Sequence, residues 1–531
     1  MKQFYYRGEP QVWITAAALG VTLLMALTLI LVVMFNGLGA FWPKKLATLE
    51  MKNGQAILGH ILKEEPRPYG DGTRIQLKIG NRDLYGLDFR WVDKDAIERL
   101  HYQEDAVAVE RESYGDFYGT LSRVELPDEN ISSGDLWDSL HQGRDAALAI
   151  KDEAEAIGEK INTLNYSMED LRNEVLELNY EGVPADAEVR TELANKTLML
   201  EERFQALVKE QREYEAQMEH YVAKFQDING QEVDIPLAEI VRCYKPNQMN
   251  IFERAGVYAS KLLELFYAEP RESNTEGGLF PAIFGTVLLI FVMSLFSFPL
   301  GVIAAIYLSE YAGDGPMVRM VRIAVNNLAG IPSIVYGIFG LGFFIYGLGG
   351  TIDQLFFPER LPTPTFGTGG LLWASLTLAL LTVPVVIVTT EEALSAIPGG
   401  VREGSLALGS TRFQTLVRIL IPMASPGIMT GLILSMARAA GEVAPLMITG
   451  VVKLAPALPL DGQFPFLHLD RKFMHLGFHI YDMGFQSPNV EAARPMVFVT
   501  TLLLVLIVLL MSAVAIRLRN KMKKKYTFGT F

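Results

Sequence analysis

Residues 391–422 read Glu391-Glu392-Ala393-Leu394-Ser395-Ala396-Ile397-Pro398-Gly399-Gly400-Val401-Arg402-Glu403-Gly404-Ser405-Leu406-Ala407-Leu408-Gly409-Ser410-Thr411-Arg412-Phe413-Gln414-Thr415-Leu416-Val417-Arg418-Ile419-Leu420-Ile421-Pro422. The pattern predicts a helix ending near Leu408 and a sharp turn that Gly409 permits. A second, amphipathic helix is expected from Thr411 to Ile421, with Pro422 punctuating the start of the next apolar run. Two short helices of this kind, set between long apolar runs, can lie in a cleft of another subunit and transmit a push. The alternative is an ordinary amphipathic connector, which the full spacing over 20 residues disfavours.

The flanking runs set the class. The chain has 531 residues, 50% hydrophobic and 20% charged, with mean hydropathy +0.22 and net charge −13. Its apolar residues gather in long charge-free runs, the mark of a membrane protein, where a span needs about 20 apolar residues. Six spans are expected, at residues 12–35, 279–308, 327–348, 371–389, 425–451 and 496–516. The first is longer than a signal-peptide core of roughly 7–15 residues. Although Gly37-Leu38-Gly39-Ala40 is a candidate cleavage site, an uncleaved anchor is the expectation.

Charge divides the chain. Residues 43–278 hold 28 Lys+Arg and 47 Asp+Glu; the remainder holds 19 and 13. A large acidic soluble insert therefore separates spans one and two. The basic tail, Arg517 to Lys525 within residues 517–531, should be cytoplasmic by the positive-inside rule. Counting back puts residues 1–11 and the 391–422 loop inside and the insert outside. That topology gives 13 Lys+Arg on the inner segments against 5 on the two short outer ones. No basic face or RNA-binding aromatic pattern is present, which disfavours a nucleic-acid partner. With one cysteine, Cys243, no internal disulfide is possible.

Within the insert, residues 52–125 and 233–241 read as strands of one small antiparallel sheet. Arg74–Ile79 alternates with period two, Gly80-Asn81 signals a turn, and Asp83–Val92, Ala106–Arg111 and Phe117–Val124 are further candidates. Residues 147–226 carry two heptad seams. Ile150, Ala154, Ile157, Ile161, Leu164, Met168, Leu171, Val175 and Leu178 form the first. Leu193, Thr197, Leu200, Phe204, Leu207, Gln211, Tyr214, Met218, Tyr221 and Phe225 form the second, beyond a breaker at residues 181–186. Two helices of matching length, each roughly 45–55 Å long, are expected to pack as an antiparallel coiled-coil hairpin. It would serve as a protein-docking arm or as a rigid spacer. Asn250–Tyr267 is expected to be a helix leading to span two.

The loop resembles the coupling loop of type I ABC importer permeases, whose pattern is EAA, three residues, G, nine residues, I-x-L-P. Glu403, Gly409, Ile419 and Pro422 match at that spacing; Gly404, Ser405 and Ile421 depart from it mildly. Leu328-Ala329-Gly330-Ile331-Pro332-Ser333-Ile334-Val335-Tyr336-Gly337-Ile338-Phe339-Gly340 is similar to the third-span signature of phosphate-specific importer permeases. Ala437-Arg438-Ala439-Ala440-Gly441-Glu442-Val443-Ala444-Pro445-Leu446 is similar to their fifth-span signature, and Ile397-Pro398 with Arg402-Glu403 to their loop. The resemblance covers about 280–516 and suits PstA-type better than PstC-type subunits, including a subgroup with an extended N-terminal region.

The resemblance implies a mainly α, six-span permease core carrying an α+β insert, in a bacterial inner membrane. It implies a second, homologous permease, two ATPase subunits docked on Arg402, Glu403, Gly409, Ile419 and Pro422, and a periplasmic phosphate-binding protein. It also ties Arg438 and Glu442 to phosphate passage. On physical grounds alone, a charge at the bilayer centre costs roughly 2.5–3.5 kcal/mol and usually faces a protein interior or a wet path. The i,i+4 spacing lets the two neutralise each other, and an arginine fork suits an oxyanion. An ion pair between helices is the other reading.

No G-x-x-x-x-G-K-[ST] loop is present, so ATP is expected to be hydrolysed by separate subunits, with no cofactor of this chain's own. No catalytic motif and no metal set is found; His475 and His479 are read as exposed loop histidines. The alternatives are a permease for another oxyanion, such as sulfate or molybdate, and a membrane-anchored periplasmic adaptor. An adaptor has no use for five further spans.

Overall fold

A computed structural model describes residues 9–127, 135–313 and 315–526, so most of the expected 1–11 segment and the last residues of the 517–531 tail lie outside the described residues. The chain divides into two units. One comprises residues up to Ala40 and from Leu279 onward; the other is Phe41–Gly278.

The first unit is helical. Among the described residues, six helices are long and apolar enough to cross a membrane. They are α1 (Gln11–Ala40), α5 (Phe280–Tyr311), α7 (Ser333–Phe356), α8 (Leu371–Ser395), α10 (Arg412–Gly441) and α13 (Val490–Lys524). The core forms where α5 and α8 run side by side, around Leu289, Met293, Leu371, Leu378 and Ala439. Gly301 allows the close approach, since a Cβ there would meet Val386 at 2.6 Å.

Two expected spans need correcting. The third does not begin at Asn327. An amphipathic helix, α6 (Pro316–Leu328), comes first, the chain turns at residues 329–332, and α7 starts at Ser333. Pro332 has no N–H to bond the Leu328 carbonyl, so the helix cannot run through. The Tyr336 hydroxyl donates to that carbonyl instead, at 2.7 Å. The fifth span begins earlier than residue 425 and ends at Gly441. After it, α11 (Ala444–Thr449) starts afresh with Pro445 in its first turn, where a missing N–H costs nothing.

The second unit, β and α mixed, holds two five-stranded antiparallel sheets rather than one small sheet. The strands are β1 (Leu46–Met51), β2 (Ala56–Pro66), β3 (Thr73–Lys78), β4 (Phe89–Asp93), β5 (Ile97–His101), β6 (Val107–Arg111), β7 (Asp116–Glu125), β8 (Val222–Gln226), β9 (Glu232–Pro236) and β10 (Ile240–Tyr244). Their orders are β4-β3-β2-β1-β5 and β10-β6-β7-β8-β9. Leu49, Ile75 and Leu77 fill the core of the first sheet, Val109, Phe117 and Phe225 that of the second. Part of the Asp83–Val92 stretch is a helical turn at Arg82–Tyr85, launched by Gly80 and Asn81, both at positive φ.

Between β7 and β8 rise α2 (Leu136–Tyr180) and α3 (Glu188–Met218), which pack on each other. The first-seam residues Ala154, Ile157, Ile161 and Leu164 are buried, as is Leu193 of the second. Arg190 fixes the turn, donating to the Val183 and Leu178 carbonyls, both at 3.1 Å, and to Asn179 at 2.8 Å. The helices are unequal: their 45 and 31 residues make roughly 68 and 47 Å at about 1.5 Å each. The second seam overran its helix. Phe225 belongs to β8, where its ring lies 5.6 Å from Phe117, because a heptad apolar position and an inward strand position look alike over a few residues. The insert closes through α4 (Ile251–Tyr267) and the short pair β11 (Pro270–Arg271) and β12 (Glu276–Gly277).

Candidate functional site

The 391–422 stretch folds as two helices on a tight corner. After α8 ends, Pro398 starts α9 (Gly399–Ala407); Gly409, at φ +87°, turns the chain; and Thr411 opens α10 with a capping box shared with Gln414. Ser405 and Thr415 hold the two helices together through buried hydroxyls 2.8 Å apart. The helix after the corner does not stop at Ile421. It runs through Pro422 to Gly441, and a wider π-helical stretch, Leu416–Leu420, absorbs the donor that Pro422 lacks. The corner is thus continuous with span five.

Arg402 points inward. Its guanidinium meets Glu310 at the end of α5 at 2.8 Å and donates to the Leu394 and Ile397 carbonyls at 2.7 and 2.9 Å, closing the C-terminal end of α8. It joins α9 to two spans. Ile419 and Pro422 are partly buried, beside a cluster containing Leu394, Ile397, Leu416 and Leu420. Glu403 and Gly409 are exposed. Sequence reasoning missed the apolar tip of the corner: Leu408 is 90% and Phe413 65% exposed, joined by Leu406. The available signal was their apolar character in an otherwise polar loop. Glu310 was also missed, being 92 residues from its partner.

Arg438 lies in the last turn of α10, and Glu442 is the first residue beyond it, in extended conformation (φ −82°, ψ 128°). The pair stands at 3.5 Å, bridging the end of the helix rather than lying along it as the i,i+4 argument supposed. Arg438 makes no other polar contact among the described residues and is about one-third exposed, which leaves guanidinium donors available for an anion. Tyr336, just after the break before α7, shares a buried cluster with Ala439 and Leu446. At Gly337 a Cβ would fall 2.8 Å from Pro445. The interruptions around spans three and five therefore adjoin, and the charged pair lies at that place.

The histidines differ from expectation. His475 and His479 are buried, the first just before and the second on α12 (Leu476–Tyr481). His475 Nδ1 accepts from the Gly477 N–H at 3.1 Å, and His479 Nδ1 is 3.2 Å from the Thr500 hydroxyl. Among the described residues, no group of three His, Cys, Asp or Glu is placed to hold a metal.

The family model described as binding-protein-dependent transport system inner membrane component matches residues 297–524. The chain is 40% identical over 172 residues to the phosphate transport system permease protein PstA of Mycobacterium leprae (strain TN), covering 32% of this chain and 51% of the relative. It is 34% identical over 221 residues to the probable phosphate transport system permease protein PstA of Methanocaldococcus jannaschii, covering 41% and 67%. It is 33% identical over 225 residues to the probable ABC transporter permease protein YqgI of Bacillus subtilis (strain 168), covering 41% and 70%. The chain spans about half the length of the first curated relatives it matches. A solved structure of the MetNI methionine ABC transporter in inward-facing conformations aligns at TM-score 0.35 and 20% identity, covering 46% of this chain and 95% of that one. The chain belongs to the binding-protein-dependent transport system inner membrane component family, among its PstA-type permeases, and is a multi-pass inner membrane protein.

Proposed function

We propose that the chain is the permease subunit of an ATP-driven inorganic phosphate importer and encloses the path together with a second, homologous permease. The observation that carries the reading is Arg438, held by Glu442 at the end of α10 with donors to spare, where the interruptions of spans three and five adjoin. A fixed positive fork binds a phosphate oxyanion without losing its charge, and the neighbouring carboxylate tempers the hold so that the anion can leave.

Two ATPase subunits dock on the 391–422 corner, with Leu408 and Phe413 as apolar anchors. The push passes through Arg402 to α5 and α8 and along the unbroken α10 towards Arg438. A binding protein delivers phosphate at the opposite face. The termini and the corner are cytoplasmic, and Phe41–Gly278 is periplasmic. The relatives named as phosphate permeases support the substrate.

The test is uptake of labelled phosphate, sulfate and molybdate by cells whose own chain is replaced by Arg438→Ala. Phosphate uptake should fall more than about tenfold, as expected for losing a charged hydrogen bond of roughly 1.5–3 kcal/mol, while the ATPase still co-purifies. Phosphate flux unchanged on deleting the whole chain, or loss of sulfate uptake instead, rejects the assignment.

A further inference from the structure

Helix α4 is amphipathic in the inverted sense. It begins with a full capping box, the Asn250 side chain accepting from the Phe252 and Glu253 N–H groups and the Glu253 carboxylate accepting from the Asn250 N–H, all at 2.9 Å. Its charged groups then face the domain. Glu264 is 6% exposed and meets Arg242 at 2.5 Å and also Arg271. Lys261 pairs with Glu110, and Arg254 donates to the Pro246 carbonyl at 2.7 Å.

The opposite face is apolar and exposed. Phe252 is 84%, Leu263 63% and Phe266 50% exposed, with Gly256 and Ala259 between them and no charged residue in the stripe. A water-facing helix places its residues the other way round. A continuous apolar face on a soluble domain marks an interaction surface. A protein–protein interface would also bring roughly one hydrogen bond per 100–200 Å², and this stripe offers no side-chain donor or acceptor.

Both ends of the helix are tied to the points where the chain leaves and re-enters the membrane. Trp42, two residues past the end of span one, rests on Tyr258 with ring centroids 5.5 Å apart, and Arg254 reaches the Pro43 carbonyl at 3.5 Å. Beyond the other end, the Ala268 N–H donates to Glu264, and the Gly278 N–H to the Glu269 carbonyl at 2.9 Å, two residues before span two. Tryptophan and tyrosine at such a position belong to the aromatic belt of a bilayer.

We propose that α4 lies in the surface of the lipid leaflet next to the insert, with Phe252, Leu263 and Phe266 in the acyl region and Trp42, Tyr258 and Tyr267 at headgroup depth. The insert is then fixed to the bilayer by a third element besides its two chain connections.

The test uses the full assembled protein in bilayers of phosphatidylethanolamine and phosphatidylglycerol. Spin labels are attached at Phe252→Cys or Leu263→Cys in a Cys243→Ala background, with Leu198→Cys, exposed on α3, as the water reference. Relaxation by oxygen, which concentrates in lipid, is compared with relaxation by a water-soluble nickel chelate. The oxygen-to-nickel ratio should be several-fold higher at both α4 sites than at Leu198→Cys. A ratio equal to the reference means the face is open to water, and exclusion of both reagents means a protein covers it; either result overturns the proposal.

Discussion

Arg402 sets the residue scale of this protein. One guanidinium neutralises Glu310 and donates to the carbonyls of Leu394, in the last turn of α8, and of Ile397, just beyond it. In Arg402→Ala those groups lose their donor, at a local cost of about 2–4 kcal/mol. Recovery of the ATPase with the purified permease should fall sharply although Arg402 does not face outward. Arg402→Lys should not restore it, because an ammonium cannot span the same acceptors. Leu408→Ser with Phe413→Ser should weaken recovery equally while leaving thermal unfolding unchanged, since both side chains are already exposed. Gly409 was legible from its spacing, as a turn between two helical patterns leaves few residue choices. The direction of Arg402 was not, because its main partner is 92 residues distant.

At the scale of elements, each helix break or continuation has a local cause and a tertiary consequence. Pro332 caps the start of α7 and Pro445 opens α11, whereas Pro422 is carried through α10 by a π-helical stretch, so three prolines in and around spans three and five have three outcomes. The hairpin is peripheral to the sheets: Leu140 and Ala147, near the base of α2, supply its part of their core. Replacing Ile161–Leu207 with a short Gly/Ser turn should leave circular dichroism of the strands and their unfolding midpoint nearly unchanged. A large drop would mean that the arm supports the sheets. In the β11–β12 pair, burial and the nearby Asp116 carboxylate push Glu276 up to about 7 from its ordinary 4.5, with Lys78, 3.6 Å away, opposing. A raised carboxyl favours the folded state below pH 4.5, and that contribution is lost as pH rises through about 7. Protection of Pro270–Gly277 from hydrogen exchange should therefore decline between those pH values beyond the intrinsic rate change. Glu276→Gln should show no such decline.

The whole molecule is a bundle interrupted once by an independent domain. Within the insert the two ends of the chain are joined: the Asn247 side chain accepts from the Leu46 N–H and donates to the Leu46 carbonyl, both at 2.9 Å. With its own cores, Phe41–Gly278 should fold when excised, giving a mixed α and β spectrum and one cooperative transition. The same fragment should bind phosphatidylethanolamine–phosphatidylglycerol vesicles in sedimentation. Phe252→Ser with Leu263→Ser should weaken that binding at least about tenfold, given roughly 1.5–3 kcal/mol per large apolar side chain.

The number of spans, the acidic insert, the heptad seams and the Glu403–Gly409–Pro422 spacing were all determined by the sequence. Each is a property of neighbours along the chain: charge-free length, period or spacing. Only the tertiary structure decided that Pro422 sits inside a helix while Pro332 precedes one, that the insert holds two sheets, and that the histidines are buried. It alone also decided that Arg438 bridges a helix end and that α4 turns its charges inward. A proline's outcome depends on whether packing can supply another turn geometry or another donor. A side chain's direction depends on partners such as Arg242 and Glu110, 132 residues apart, which no local pattern records.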